Sequence, residues 1–188
     1  FHSRSRTKTV YFVYSGEVML YNLTKHGNRK VIFILGKGRL LNQSIVSKKP
    51  NALFCEAACP VKVIEIAEER FLQLMEQSHA LTRAVLREYE RNLWRMGHQL
   101  KNTTGNMQME RKIAAKLWKL GRDFGVDTED GVMIDIDLTI TLMADLIGAP
   151  RENVSRACKV LTDRGLIRYG NKRFTLTDSD GLAEFYKM

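Results

Sequence analysis

Two short amphipathic stretches meet at Gly148-Ala149-Pro150, and this junction constrains the fold more than any other feature of the 188 residues. "LTITLMADLI" and "RENVSRACKVLTDRG" each place apolar residues at helical spacing. Gly148 suits a turn with positive φ, which a residue with Cβ adopts only at a cost. Pro150 precedes or opens the second helix, where its missing N–H does no harm. Thr139 can cap the first helix, and Ala144 is small where the two helices must cross. "LIRYGNKRFTL" then reads as two strands around Gly170-Asn171, a two-residue hairpin signal.

Helix, turn, helix and hairpin together make a winged helix-turn-helix layout. The second helix, predicted over about 151–164, turns Val154, Ala157, Cys158 and Leu161 inward. Arg151, Glu152, Ser155, Arg156 and Lys159 share its outer face. In a major groove the first turns of such a helix meet base edges. Arg donates two hydrogen bonds to guanine, Glu accepts from cytosine N4, and Ser bonds a base or a phosphate. Glu152 is the informative residue, because a face that only binds phosphates gains nothing from an acid beside two arginines. An exposed helix with a Glu152–Arg156 ion pair is the competing explanation. Lys172 and Arg173 at the hairpin suit backbone phosphates.

Upstream the pattern is different. "TVYFVY", "EVMLYNL" and "KVIFIL" are β-branched and aromatic runs separated by Ser15-Gly16, His26-Gly27-Asn28 and Gly36-Lys37-Gly38. "ALFCEA" and "VKVIEI" follow, split by Pro60. Short strands at this spacing predict an antiparallel sandwich or barrel. The period changes near Ala67. "EERFLQLMEQ" reads as a short helix, and a long helix is expected from about Ala80 to Leu100. Leu86, Tyr89, Leu93, Met96, Leu100, Thr103 and Met107 alternate spacings of three and four, a heptad seam that predicts a homodimer. "KNTTGNMQ" (101–108) reads as a hinge, "MERKIAAKLWKLGRDFG" as a helix and "VMIDIDL" as a half-buried strand.

Charge narrows the function classes. The net +9 lies in residues 1–108, with 17 Lys+Arg against 8 Asp+Glu; residues 109–188 hold 13 of each. Within that neutral part, residues 123–145 carry seven acids and no Lys or Arg, whereas 151–173 carry seven Lys+Arg against Glu152 and Asp163. The local excess points to nucleic acid more strongly than the overall value does. No apolar run approaches a membrane span. The three cysteines are too few and scattered for a disulfide framework, so a cytoplasmic setting is expected. The chain opens at Phe1 with no apolar signal core and reads as a fragment lacking its natural start.

"LTITLMADLIGAPRENVSRACKVLTDRGLI" resembles the DNA-binding domain of the Crp/Fnr family of bacterial transcription regulators, with "RE-x-V-S-R" similar to that family's recognition helix. The resemblance implies an α+β fold: an antiparallel, cyclic-nucleotide-binding-like β-roll sensor, a long dimerisation helix and a C-terminal winged helix-turn-helix. The divisions expected are 1–78 for the β-roll, incomplete at its N-terminus, 79–106 for the dimerisation helix and hinge, and 107–188 for the DNA-binding domain. Arg151, Glu152 and Arg156 become the base readers and Ser155 a further contact, with Thr139, Lys159, Lys172 and Arg173 completing the DNA-binding set. Leu86, Tyr89, Leu93, Met96 and Leu100 become the dimer interface. The implied partners are a second copy, double-stranded DNA carrying an inverted repeat with half-sites about 34 Å apart, a small-molecule effector and RNA polymerase.

The effector has no signature. Family members that bind cyclic AMP use a Gly-Glu-Leu stretch and a later Arg-Ser pair. Here "GRLLNQS" puts Asn42 and Gln43 where the acid belongs, and Asn51-Ala52 stands in place of Arg-Ser. Without that arginine the phosphate loses its charge-assisted clamp, and cyclic AMP is not expected. The central cysteine of the iron–sulfur branch aligns with Ile64. Cys55, Cys59 and Cys158 read as small apolar residues rather than ligands. His26 and His98 lack the partners of a haem axial ligand, and no metal site is expected. Tyr89 and Trp94 read as core or interface, although they could border an effector pocket. An enzyme on the barrel would need clustered histidines, but only His2 and His26 fall there, so no catalytic residue is expected. A non-specific nucleic-acid-binding protein acting through its basic surface is the alternative, and it leaves Glu152 unexplained.

Overall fold

The computed structural model describes residues 1–47, 49–104 and 107–187, the side chains of 101–104 excepted. The chain forms two compact units, Phe1–Lys101 and Asn102–Met188. The first contains β1 (Thr9–Ser15), β2 (Val18–Leu23), β3 (Arg29–Leu35), β4 (Phe54–Ala57), β5 (Lys62–Ala67), α1 (Glu68–Gln77) and all but the end of α2 (His79–Thr104). β1 pairs with β5, and β2 lies between β3 and β4, all antiparallel. Gly16 turns the chain from β1 into β2 at φ 82°, where a Cβ would sit 2.5 Å from the Pro60 carbonyl oxygen, so no other residue fits. One core cluster, built on Val13, Val18, Leu20, Phe33, Leu35 and Leu41, fills the roll. A second joins Val10, Leu40 and Ile45 to Phe71 of α1 and Val85 of α2.

α2 lies on its own sheet with its more polar face. Val85 is buried, Glu88 meets Arg39 at 3.2 Å, Arg95 stacks over the Phe33 ring at 5.0 Å, and Gln99 Nε2 donates to the Ile32 carbonyl at 2.9 Å. The heptad leucines turn away, leaving Leu86, Leu93 and Leu100 54%, 72% and 63% exposed. The seam is shorter than the sequence pattern suggests: α2 ends at Thr104, so Met107 lies beyond it, and the Thr103 side chain falls outside the described residues. The expected hinge over 101–108 overlaps the helix through Thr104, and its residues 105–106 are likewise outside the described set.

The second unit contains α3 (Met109–Phe124), β6 (Gly125–Thr128), β7 (Gly131–Ile134), α4 (Ile140–Ile147), α5 (Arg151–Asp163), β8 (Ile167–Gly170), β9 (Arg173–Leu176) and α6 (Ser179–Lys187). Its sheet runs β6-β7-β9-β8, every pair antiparallel. Ile113, Leu117 and Leu120 of α3, Met143 of α4, Val154 and Leu161 of α5, Phe174 of β9 and Leu182 of α6 are its buried apolar core, each at most 3% exposed. The architecture is α+β, with a β-roll, a long helix and a C-terminal winged helix-turn-helix.

Three details correct the sequence pattern. "VMIDIDL" is not one strand: β7 stops at Ile134, because Asp135 N–H turns to the Phe124 carbonyl (2.9 Å) and Leu138 N–H to the Lys172 carbonyl (2.7 Å). Ile136 and Leu138 stay buried without being strand. β6 is exposed along its whole length and has no alternation to reveal it. The β8–β9 reversal is at Asn171-Lys172, one residue later than expected, with φ of 50° and 60° at its two loop positions. Among the described residues no helix is long and apolar enough to cross a membrane.

Candidate nucleic-acid interface

Thr139 starts the site. Its Oγ1 accepts from Leu142 N–H at 3.0 Å, capping α4. We expect Thr139→Ala to lower unfolding free energy by about 1 kcal/mol in denaturant titration; an unchanged midpoint would contradict this role. α4 ends at Gly148, in the left-handed region at φ 78° and ψ 45°, with its N–H bonded to the Ala144 carbonyl at 2.7 Å. Pro150 is the residue before α5, and its carbonyl accepts from Asn153 (3.1 Å) and Val154 (3.2 Å). A left-handed glycine followed by an extended proline thus sets the direction in which α5 leaves α4.

α5 separates its faces sharply. Val154, Ala157, Cys158 and Leu161 are all 5% exposed or less. Arg151, Glu152, Ser155, Arg156 and Lys159 are exposed and fall within about 140° of the helix circumference. The competing Glu152–Arg156 pair does not form. Arg156 Nη2 instead donates to Asn153 Oδ1, a contact the sequence pattern gave no reason to expect. Glu152 has neither an ion pair nor a hydrogen-bond partner among the described residues. It also sits in the first turn of α5, where a carboxylate is favoured by the helix dipole.

The hairpin tip is fixed to the start of α4, since Leu138 N–H bonds the Lys172 carbonyl, and Lys172 itself is exposed. Arg173 is only partly available: its guanidinium lies 3.2 Å from Asp135. Arg168, which sequence reasoning missed, pairs with Asp130 across 38 residues. Its guanidinium holds the Asp130 carboxyl below the usual carboxylate range, chiefly by hydrogen bonding. Blocks of opposite charge at 123–145 and 151–173 were the available signal for these pairs. Cys158 packs inward, and burial pushes its thiol up to about 11. In native protein at pH 8 it should therefore escape alkylation that modifies it after unfolding; labelling in the native state at the free-cysteine rate, read by mass spectrometry, would contradict this.

The Crp-like helix-turn-helix domain matches residues 111–185, and the cyclic nucleotide-binding domain matches residues 1–78. The chain belongs to the Crp/Fnr family of transcription regulators. The family member from Mycobacterium tuberculosis described as a CRP-like cAMP-activated global transcriptional regulator is 24% identical over 175 residues, 93% of this chain and 78% of that protein. A global nitrogen regulator of a Nostoc species is 25% identical over 170 residues, 89% of this chain and 76% of its own. Among solved structures, FixK2 from Bradyrhizobium japonicum superposes with a TM-score of 0.84 at 19% identity, covering 98% of this chain and 90% of the other.

In this Crp/Fnr regulator the two stretches that the resemblance sets against a cyclic AMP clamp are tied to each other. Gln43 Oε1 accepts both the Ala52 and Leu53 backbone N–H groups, at 3.0 and 3.1 Å. Asn42 is 5% exposed and bonds Tyr11 N–H, the Thr7 hydroxyl and the Thr9 carbonyl. Asn51 is 3% exposed and donates to the Ser5 carbonyl at 3.1 Å. On α2, Met96 is 46% and Trp94 60% exposed beside the leucine row. Tyr89 is different: it packs at the edge of its own β-roll core, and burial pushes its hydroxyl up to about 12.

Proposed function

We propose that this regulator is a homodimer that binds an inverted-repeat DNA site, reading bases with Arg151, Glu152, Arg156 and Ser155 and contacting the backbone with Thr139, Lys159, Lys172 and the hairpin arginines. The observation that carries the reading is Glu152, exposed and unpaired on a face it shares with Arg151 and Arg156. Phosphate repels a carboxylate, so this face is better suited to base edges, where the acid accepts from cytosine N4. Leu86, Leu93, Met96 and Leu100, with Tyr89 at their border, supply the dimer seam. The three leucines are exposed in a single chain, while the opposite face of α2 is already engaged with the sheet. A cytoplasmic, non-enzymatic role, with RNA polymerase as a downstream partner, follows from this reading.

The effector of the β-roll is not cyclic AMP. Two adjacent backbone N–H groups at 52 and 53 form an anion-holding arrangement, and Gln43 fills it. Calorimetric titration with cyclic AMP should give no saturable heat; a dissociation constant in the micromolar range would overturn this part.

DNA binding is tested by comparing the tightest duplex site with a random duplex at physiological salt. We expect a ratio of at least about 10³. A ratio near one would leave only non-specific binding through the basic surface.

A further inference from the structure

We propose that Asp130 and Asp135 act as phosphate substitutes that hold two of the three hairpin cations back from non-specific DNA; the inference rests on the proposed DNA contact of the β8–β9 hairpin. That hairpin carries Arg168, Lys172 and Arg173. Arg168 pairs with Asp130, at the turn between β6 and β7, and Arg173 with Asp135, just past the end of β7. Lys172, at the tip, makes no ion pair among the described residues. The acids come from the stretch 123–145, which holds seven Asp and Glu and no Lys or Arg, and the arginines from the basic stretch that follows. The unit therefore places an acidic ribbon against its own basic hairpin.

The exposure of both pairs makes them exchangeable. The side chains are 55% and 58% exposed in the Arg168–Asp130 pair and 41% and 50% in the Arg173–Asp135 pair. Ion pairs this open to water contribute little, so a phosphate that approaches can replace the carboxylate without a large desolvation cost. It must still displace it. Non-specific affinity comes almost entirely from neutralised phosphates, so the aspartates lower it most. A bound cognate site, held by base contacts from α5, brings its phosphates close and replaces them. The device raises the specificity ratio rather than the affinity.

The test uses the full chain and a fluorescent random-sequence duplex, measured by anisotropy over a range of salt. Asp127→Asn is the control of equal charge, since Asp127 lies on the same β6–β7 hairpin and has no ion pair among the described residues. Asp135→Asn and Asp130→Asn are each expected to bind the duplex about two- to fivefold more tightly than Asp127→Asn does. Each should steepen the logarithmic salt slope by about 0.9, the signature of one more phosphate contact. In an Arg173→Gln background, Asp135→Asn should have no larger effect than Asp127→Asn has in that same background. Equal effects from all three asparagine variants would overturn the proposal. So would weaker binding by Asp135→Asn, which would mean that the carboxylate orients Arg173 toward phosphate. A random duplex reports on this device whether or not a preferred sequence exists, so its failure is distinct from failure of base reading.

Discussion

Leu93→Glu is expected to make the protein monomeric at micromolar concentration and to weaken binding to an inverted-repeat duplex by about a hundredfold or more. Leu93 is 72% exposed at the centre of the Leu86, Leu93 and Leu100 row, so it contributes little to the unit it belongs to. In a dimer seam the same position would bury a carboxylate without a partner, which is strongly unfavourable. The loss of affinity follows because two linked reading heads bind one duplex as a chelate, whereas separate ones do not. Sedimentation reads the first effect, and anisotropy on full-site and half-site duplexes reads the second. Circular dichroism should be unchanged, since α2 is held to the sheet by Val85, Arg95 and Gln99 rather than by the leucines. A dimer that survives the substitution would contradict the seam.

The second large effect concerns Glu152 and Arg156. Alanine at either position should cost about 1–3 kcal/mol, roughly 5- to 150-fold, on the preferred site. Preference should relax at one or two base pairs in each half-site, while affinity for random duplex falls less than affinity for the preferred site for Arg156→Ala and stays the same or rises for Glu152→Ala. Glu152 also lies in the first turn of α5, where losing a carboxylate destabilises the helix end by about 0.3–1 kcal/mol. Denaturant titration separates that effect from base reading, because a helix-end role changes stability and leaves the preferred sequence intact. Uniformly tighter binding by Glu152→Ala, with no change in preference, would mean that the acid reads nothing.

Much of this architecture was legible because it depends on local rules. Gly148 and Pro150 fix the junction of α4 and α5 through backbone conformation alone, and the inward row of α5 follows from helical spacing. Thr139 caps as its position suggests. What escaped depends on contacts distant in sequence or on polar groups with several options. β6 has no apolar alternation, so only its partner β7 defines it. The heptad on α2 was visible, but which face would lie on the β-roll was not, because that choice is made by Arg95 on Phe33 and Gln99 on Ile32. The substitution of Gln43 for an acid was legible; that its carboxamide bridges to Ala52 and Leu53 was not. Arg173 was legible as a phosphate ligand; that Asp135 lies against it, and Asp130 against Arg168, was not.

The central claim is that an exposed, unpaired acid between two arginines reads bases as part of a symmetric pair of heads. Selection of binding sites from random duplex DNA, with the full chain at physiological salt, tests it most directly. The account predicts enrichment of an inverted repeat whose half-site centres lie about one helical turn, roughly 34 Å, apart. Enrichment of no motif, or of a single unrepeated one, would contradict it.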